Sequence, residues 1–176
     1  MIFRPAAIYL GLDPGRSGGL ASIRPDGTVE VQAMPETPEG VLDWVLTQTA
    51  GDGSSVCSAL EQVGGYNSSE GSQPGSRMFR FGESYGWLRM ALVAVKARCV
   101  LVVPQRWQRD LGIEARSKDT RYNKSRESKP AFKRRLKQHA EQLFPGTKLT
   151  LATADALLLA EWCRRQYTGQ LQRQLL

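Results

Sequence analysis

The residues best suited to do chemistry in this sequence are three carboxylates, Asp13, Glu61 and Asp155. Asp13 follows a short apolar run and opens a glycine-rich turn, and Glu61 closes a second apolar run in the same way. Short apolar runs bounded by glycine or proline are typical of buried strands. An acid at the end of such a strand is costly unless a partner binds it. The structural alternative for Asp13 is that it caps its own turn, since Asp before Pro-Gly favours turns.

Asp155 lies in the last strong helical pattern, which spans about 149–167. Leu151, Asp155, Leu158 and Trp162 fall on one face at helical spacing. Asp155 is therefore an acid in the middle of an apolar helix face that is expected to point at the sheet. A salt bridge to a buried base, or a position at the rim, is the structural alternative.

The three acids could meet if the two strands that end in Asp13 and Glu61 are neighbours and the last helix packs across them. Three carboxylates within about 5 Å of one another repel strongly, and they stay ionised together only beside a cation. Oxygen ligands favour Mg²⁺ or Mn²⁺ over Zn²⁺. Two such ions about 4 Å apart can activate water and stabilise the leaving oxygen in phosphodiester cleavage. The acids therefore predict a nuclease site with two divalent ions.

The elements that must position these acids follow from hydrophobic periodicity. Three antiparallel strands come first, and later strands alternate with helices, which predicts an α/β fold with a mixed five-stranded sheet flanked by helices. The strands are expected near 6–10, 20–23, 29–33, 56–60 and 100–103, and the helices near 38–49, 78–96, 104–111, 129–144 and 149–167. We expect one domain over 1–170, with a mobile loop at about 64–77, a flexible basic segment at about 113–128 and a tail at 171–176.

The net charge of +7 is concentrated in one part of the chain. Residues 113–137 contain ten basic and three acidic side chains, so this segment carries the whole excess. A solvated loop and helix face is the plain alternative, but such concentration favours binding to a polyanion such as DNA. The candidate DNA-binding residues are Arg116, Lys118, Arg121, Lys124, Arg126, Lys129, Lys133 and Arg134.

Composition excludes several other classes of protein. The 176 residues suit one globular domain, and no apolar stretch reaches the roughly 18 residues of a membrane span. Met1 lies close to the first strand, which leaves no room for a signal peptide. Cys57, Cys99 and Cys163 lie scattered in apolar segments, so we expect buried free thiols and a cytoplasmic location. The sequence contains no Walker A loop and no His-Glu-x-x-His motif.

Three motifs around the acids, at 11–15, 59–63 and 154–160, resemble the acidic motifs of RuvC-type Holliday junction resolvases in the ribonuclease H-like superfamily. The phage- and prophage-borne RuvC-like endonucleases are the most similar members. Segments 81–89 and 103–108 also resemble that family, so the likeness covers nearly the whole chain.

The resemblance implies a ribonuclease H-like fold and a homodimeric, Mg²⁺-dependent endodeoxyribonuclease that resolves four-way DNA junctions by paired nicks in DNA recombination and repair. It implies that Asp13 bridges two metal ions, while Glu61 and Asp155 each bind one. The expected dimer contact is the helix at about 78–96.

The sequence departs from the family pattern in two places. The family's fourth metal-site residue would fall at Leu151 or Ala152, which cannot bind a metal. Glu161 and His139 are poor substitutes by position. The aromatic residue expected to wedge into the junction is replaced by glycine, and the candidates that could serve instead are Tyr66, Met78 and Phe79.

Two other functions remain open from the sequence. The missing fourth residue favours a catalytically weak or inactive protein that binds junctions or other branched DNA. A nucleotide-binding phosphotransferase of the actin-like fold also has a first turn rich in Gly and Asp. It is disfavoured because the chain is too short for a duplicated domain with a second phosphate-binding turn.

Overall fold

The computed structural model describes residues 8–62, 75–116 and 127–169. The described strands are β1 (Ile8–Asp13), β2 (Gly19–Ile23), β3 (Val29–Ala33), β4 (Val56–Glu61) and β5 (Arg98–Val102). The described helices are α1 (Pro38–Thr49), α2 (Gly75–Ala94), α3 (Pro104–Asp110), α4 (Lys129–Leu143) and α5 (Leu151–Tyr167).

The five strands form one sheet in the order β3-β2-β1-β4-β5. The first three strands pair antiparallel, whereas β4 pairs parallel with both β1 and β5. This arrangement confirms the mixed α/β sheet that the sequence predicts. It also makes β1 and β4 neighbours, as the convergence of the acids requires.

Side chains of β1 alternate between two hydrophobic cores, one on each face of the sheet. Tyr9 belongs to the core shared with α3, α4 and α5, whereas Leu10 and Leu12 belong to the core shared with α1 and α2. Because the alternation has a period of two, Gly11 and Asp13 lie on the same face as Tyr9. Asp13 therefore points to the α5 side of the sheet.

Helix α5 crosses the sheet so closely that two strand positions accept only glycine. A Cβ atom at Gly11 would overlap the backbone oxygen of Ala156 and the backbone nitrogen of Ala160. A Cβ atom at Gly19 would lie 2.6 Å from the backbone oxygen of Ala152. The small residues on both sides let α5 lie almost directly on the backbones of β1 and β2.

Most predicted elements lie within two or three residues of their observed bounds, and the larger differences have physical causes. Strand β1 continues through Asp13 because Gly11 and Leu12 pair with both β2 and β4. Helix α2 begins at Gly75, so 75–77 are helical and do not belong to the predicted mobile loop. The structure does not describe residues 64–74 of that loop, residues 117–126 of the basic segment or the tail.

One cysteine prediction is wrong. Cys57 and Cys163 are buried, as expected, but Cys99 is exposed. Its strand, β5, is at the edge of the sheet, where fewer elements cover the side chains. Over the described ranges, no helix combines the length and the apolarity that crossing a membrane requires.

Replacing Gly11 with alanine should destabilise the protein. The new methyl group meets backbone atoms, which cannot rotate away, so α5 must shift from β1, at a cost of about 2–3 kcal/mol in the free energy of unfolding. Urea denaturation measures this loss. Gly82→Ala is the matched control, because nothing lies within 4 Å of its Cβ and alanine favours a helix by about 1 kcal/mol. Equal stability of the two variants would contradict the close contact.

Candidate active site

Asp13 and Glu61 lie side by side at the carboxyl ends of two parallel strands. Leu12 of β1 is in register with Leu60 of β4, so the next residue of each strand is an acid. Asp13 is only 8% exposed. Neighbouring parallel strands thus place two carboxylates at one edge of the sheet, on the face that α5 covers.

Asp155 reaches the same place from α5. The contacts of that helix with Gly11 and Gly19 bracket position 155, and Asp155 is 5% exposed. Its Oδ2 atom accepts a hydrogen bond from the ammonium group of Lys133 on α4, in a close ion pair. Its Oδ1 atom is buried and has no hydrogen-bond partner among the described residues. Half of this carboxylate is therefore left without a donor.

The pKa shifts show that the three acids share one electrostatic environment. Burial raises the pKa of Asp13 well above its usual value, and the charges of Glu61 and Asp155 raise it further. Burial also raises the pKa of Glu61 to about 7, with a smaller upward contribution from Asp155. The pKa of Asp155 is raised by burial, against the influence of Lys133. Ionising all three acids together is unfavourable in this pocket.

Trp107 of α3 holds the Glu61 carboxylate. Its indole Nε1 donates a hydrogen bond to Glu61 Oε2 at 3.1 Å, and the Trp107 side chain is fully buried. This hydrogen bond lowers the pKa of Glu61 and so partly offsets burial. The sequence pattern predicts no role for Trp107 at the site. The one signal that it carries is its place in the segment 103–108, which resembles the resolvase family.

Lys133 lies inside the cleft, although the sequence assigned it to a DNA-binding surface. Burial opposes its charge, but the carboxylates of Asp155 and Asp13 outweigh this and raise its pKa. Its side chain is 42% exposed even though its ammonium group contacts Asp155. Asp155 is thus in a salt bridge, which was the structural alternative to a metal ligand.

The site's donor set fits a divalent cation, but its present arrangement does not form a ligand group. Three carboxylates supply only oxygen, and the unpartnered Oδ1 of Asp155 lacks the donor or cation that a buried oxygen needs. With Asp155 on Lys133 and Glu61 on Trp107, no group of three or more His, Cys, Asp or Glu side chains in the described ranges is placed to hold a metal. Metal binding therefore requires these side chains to rearrange.

Glu161 and His139, which the sequence marks as poor substitutes for a fourth ligand, have other partners. Glu161 is buried in ion pairs with Arg164 and Arg165. His139 lies near Arg165, since burial and that guanidinium together lower its pKa. Arg165 is ten residues beyond Asp155 on α5, or about 15 Å along the helix.

A cleft of about 670 Å³ opens beside Asp13. It is lined by the turn 13–18, by Arg80 and Phe81 of α2, and by Lys133 of α4. The turn is fixed by α2, because the Gly15 amide donates to the Ser84 hydroxyl at 3.0 Å and a Cβ at Gly15 would touch the Phe81 ring. The cleft thus places three basic side chains, Arg16, Arg80 and Lys133, around the carboxylate of Asp13.

The other predicted DNA-binding residues are only partly described. Lys129 and Arg134 are exposed on α4, and Arg116 is half-buried. Lys118, Arg121, Lys124 and Arg126 lie outside the described residues, as does Tyr66. The remaining wedge candidates, Met78 and Phe79, are 39% and 67% exposed on the first turns of α2.

Comparison with solved structures shows which known proteins share this fold. Thermus thermophilus RuvC in complex with a Holliday junction substrate matches with a TM-score of 0.57 and 14% identity, over 93% of this chain and 96% of that chain. This chain has the fold of RuvC. A second Thermus thermophilus RuvC structure matches with a TM-score of 0.52 and 12% identity, over 94% of this chain and 96% of that one. No protein-family model and no curated protein matches the sequence.

The raised pKa of Glu61 predicts that the metal-free RuvC-like fold loses stability as pH increases. Between about pH 4.5 and about pH 7 the folded state keeps a proton that the unfolded state releases, so the free energy of unfolding falls by up to about 3 kcal/mol. Asp13 acts in the same direction. Urea denaturation in EDTA at about pH 5 and pH 8 measures the fall. Glu61→Gln should reduce it, and an unchanged fall in that variant would contradict the assignment.

Replacing Trp107 with phenylalanine should destabilise the protein more at about pH 8 than at about pH 5. The lost hydrogen bond is stronger when Glu61 is ionised, by about 1 kcal/mol, whereas the lost packing costs the same at both pH values. Urea denaturation measures both losses. In a Glu61→Gln background the dependence on pH should disappear, and its persistence would show that Trp107 acts only through packing.

Proposed function

We propose that this chain is a Mg²⁺-dependent endodeoxyribonuclease that resolves four-way DNA junctions by paired nicks. The observation that carries the proposal is the convergence of Asp13, Glu61 and Asp155 at the ends of β1 and β4, beside the cleft that Asp13 lines. Support comes from the shared fold, since the Thermus thermophilus RuvC that it resembles was solved with a Holliday junction substrate.

In this proposal the three carboxylates hold the divalent ions. Bound Mg²⁺ or Mn²⁺, as a pair of ions, would supply an activated water and stabilise charge on the leaving oxygen. Trp107 fixes the orientation of Glu61 through its indole hydrogen bond. The glycine turn, held by Ser84, keeps Asp13 at the floor of the cleft.

The basic rim of the cleft would bind the phosphates beside the scissile bond. Arg16 and Arg80 line the cleft with Asp13, so they offset the repulsion between the acidic floor and the DNA backbone. The exposed Lys129 and Arg134 of α4 would extend this surface, together with the basic segment. Met78 and Phe79 remain candidates for the wedge that opens the junction.

Two nicks on opposite strands require two active sites, and α2 offers a surface for a second copy of the chain. Met90 and Val93 are 65% and 66% exposed on this helix, within the predicted dimer segment 78–96. Exposed apolar side chains that cluster on one helix often mark an interface. The cytoplasmic location and the closeness to phage enzymes stay predictions.

A second candidate function is a junction-binding protein with little or no catalysis. The contact between Lys133 and Asp155 favours it, because a permanent ammonium group would take the place of a cation at one of the three acids. The absence of a ligand side chain at Leu151 and Ala152 points the same way.

We expect the wild-type protein to nick a synthetic four-way junction in Mg²⁺ or Mn²⁺, with less activity on forked DNA and duplex. Asp13→Asn should lower the cleavage rate by at least about a hundredfold, because it removes the charge of one of the three carboxylates that would hold the divalent ions. Asp43→Asn is the matched control, since Asp43 is exposed on α1 and is not among the residues that line the cleft. Gel assays of single-turnover cleavage measure both variants.

Binding without cleavage would select the second function. A protein that neutralises six phosphates should show a log–log salt slope near about −5 for junction affinity. If that slope appears and no divalent ion supports nicking by the wild type, the nuclease proposal fails.

A further inference from the structure

We propose that Lys133 is an internal counter-cation of the three acids, and that a divalent ion must displace its ammonium group from Asp155 to bind. The inference rests on the metal site of the proposed function. It adds a competition between one side chain of the protein and the metal ion for a single carboxylate.

The position of Lys133 in α4 is built into the packing of that helix. Lys133, Leu136 and Ala140 follow one another at spacings of three and four, and Leu136 and Ala140 are buried against α5. Lys133 therefore lies at the end of the packed stripe of α4. The adjacent Arg134 is exposed, and Lys137 is paired with Glu141. Among these three bases, the helix directs only Lys133 to the acids.

Charge explains why a cation is needed here. Asp13, Glu61 and Asp155 are all disfavoured as anions by burial, and the ammonium group of Lys133 opposes this at each of them. One positive charge cannot balance three negative charges. Part of the acidic charge stays unbalanced unless protons or a divalent ion enter.

The ammonium group and a divalent ion exclude each other at Asp155. Lys133 occupies Oδ2, and only Oδ1 remains without a partner. A divalent ion on Oδ1 would lie within about 5 Å of the ammonium group, where like charges in a buried site repel strongly. The lysine can leave, because its side chain is 42% exposed and lines the open cleft. Metal binding is thus coupled to the release of Lys133.

Calorimetric titration with MnCl₂, without DNA, tests this competition. Lys133→Met keeps the length of the stem and removes the competing charge, so it should bind Mn²⁺ roughly tenfold more tightly than the wild type. Lys137→Met is the matched control, with the same change on the same helix but a partner, Glu141, outside the cleft. It should stay within about twofold of the wild type, since it loses only a screened surface charge.

Thermal unfolding gives a second readout. In EDTA the Lys133→Met variant should melt at a lower temperature than the wild type. Excess Mn²⁺ should raise the melting temperature of the variant by more than it raises that of the wild type. If Lys133→Met does not fold, Lys133→Gln replaces it, and its Mn²⁺ affinity is compared with that of the wild type in the same way. Failure of both variants to fold even in excess Mn²⁺ overturns the inference, because the metal ion should replace the ammonium group.

The outcomes separate this inference from the proposed function. Unchanged or weaker Mn²⁺ binding by Lys133→Met, relative to Lys137→Met, overturns the competition and leaves the nuclease proposal standing. Tighter binding by Lys133→Met without junction cleavage by the wild type supports the competition and overturns the nuclease proposal. Absence of Mn²⁺ binding by every variant overturns both.

Discussion

Burial of three like charges in one pocket is the constraint on which the arrangement of the site depends. Burial raises the pKa of Glu61 to about 7 and the pKa of Asp13 well above its usual value, so the protein keeps these acids at a cost. Three features limit that cost: the indole donor of Trp107, the ammonium group of Lys133 and the protons that the raised pKa values retain. Trp107 belongs to α3 and Lys133 to α4, while Asp155 itself comes from α5. Helices α3, α4 and α5 therefore all serve the ends of β1 and β4.

The same constraint explains the close packing of α5 on the sheet. Asp155 reaches the strand ends only if its helix lies almost on the strand backbones, and Gly11 and Gly19 permit this approach. The capping box formed by Thr150 and Thr153 sets where the helix begins, one turn before Asp155. The capping residues of α5 and the glycines of β1 and β2 thus fix the position of Asp155. Stability and site geometry depend on the same contacts.

Much of this fold follows from local patterns in the sequence. Helix α1 has its predicted bounds, because Thr37 caps it and Pro38 opens it. The pairing of β1 with β4 follows from element order. The partners of the acids could not be predicted so directly. Lys133 belongs to a run of basic residues that suggests DNA binding, and only its spacing to the buried Leu136 and Ala140 separates it from that run.

Trp107 shows why side-chain partners are harder to predict than elements. An apolar aromatic residue on a short helix is expected in a core, and Trp107 is indeed fully buried there. Its polar N–H must still find an acceptor, and the acceptor is an acid 46 positions away in the sequence. Only the packing of α3 on the sheet brings the two together. Since a buried carboxylate and a buried indole each need such a partner, the two requirements are met by one hydrogen bond. The site is therefore held by the core of the protein and not by its loops alone.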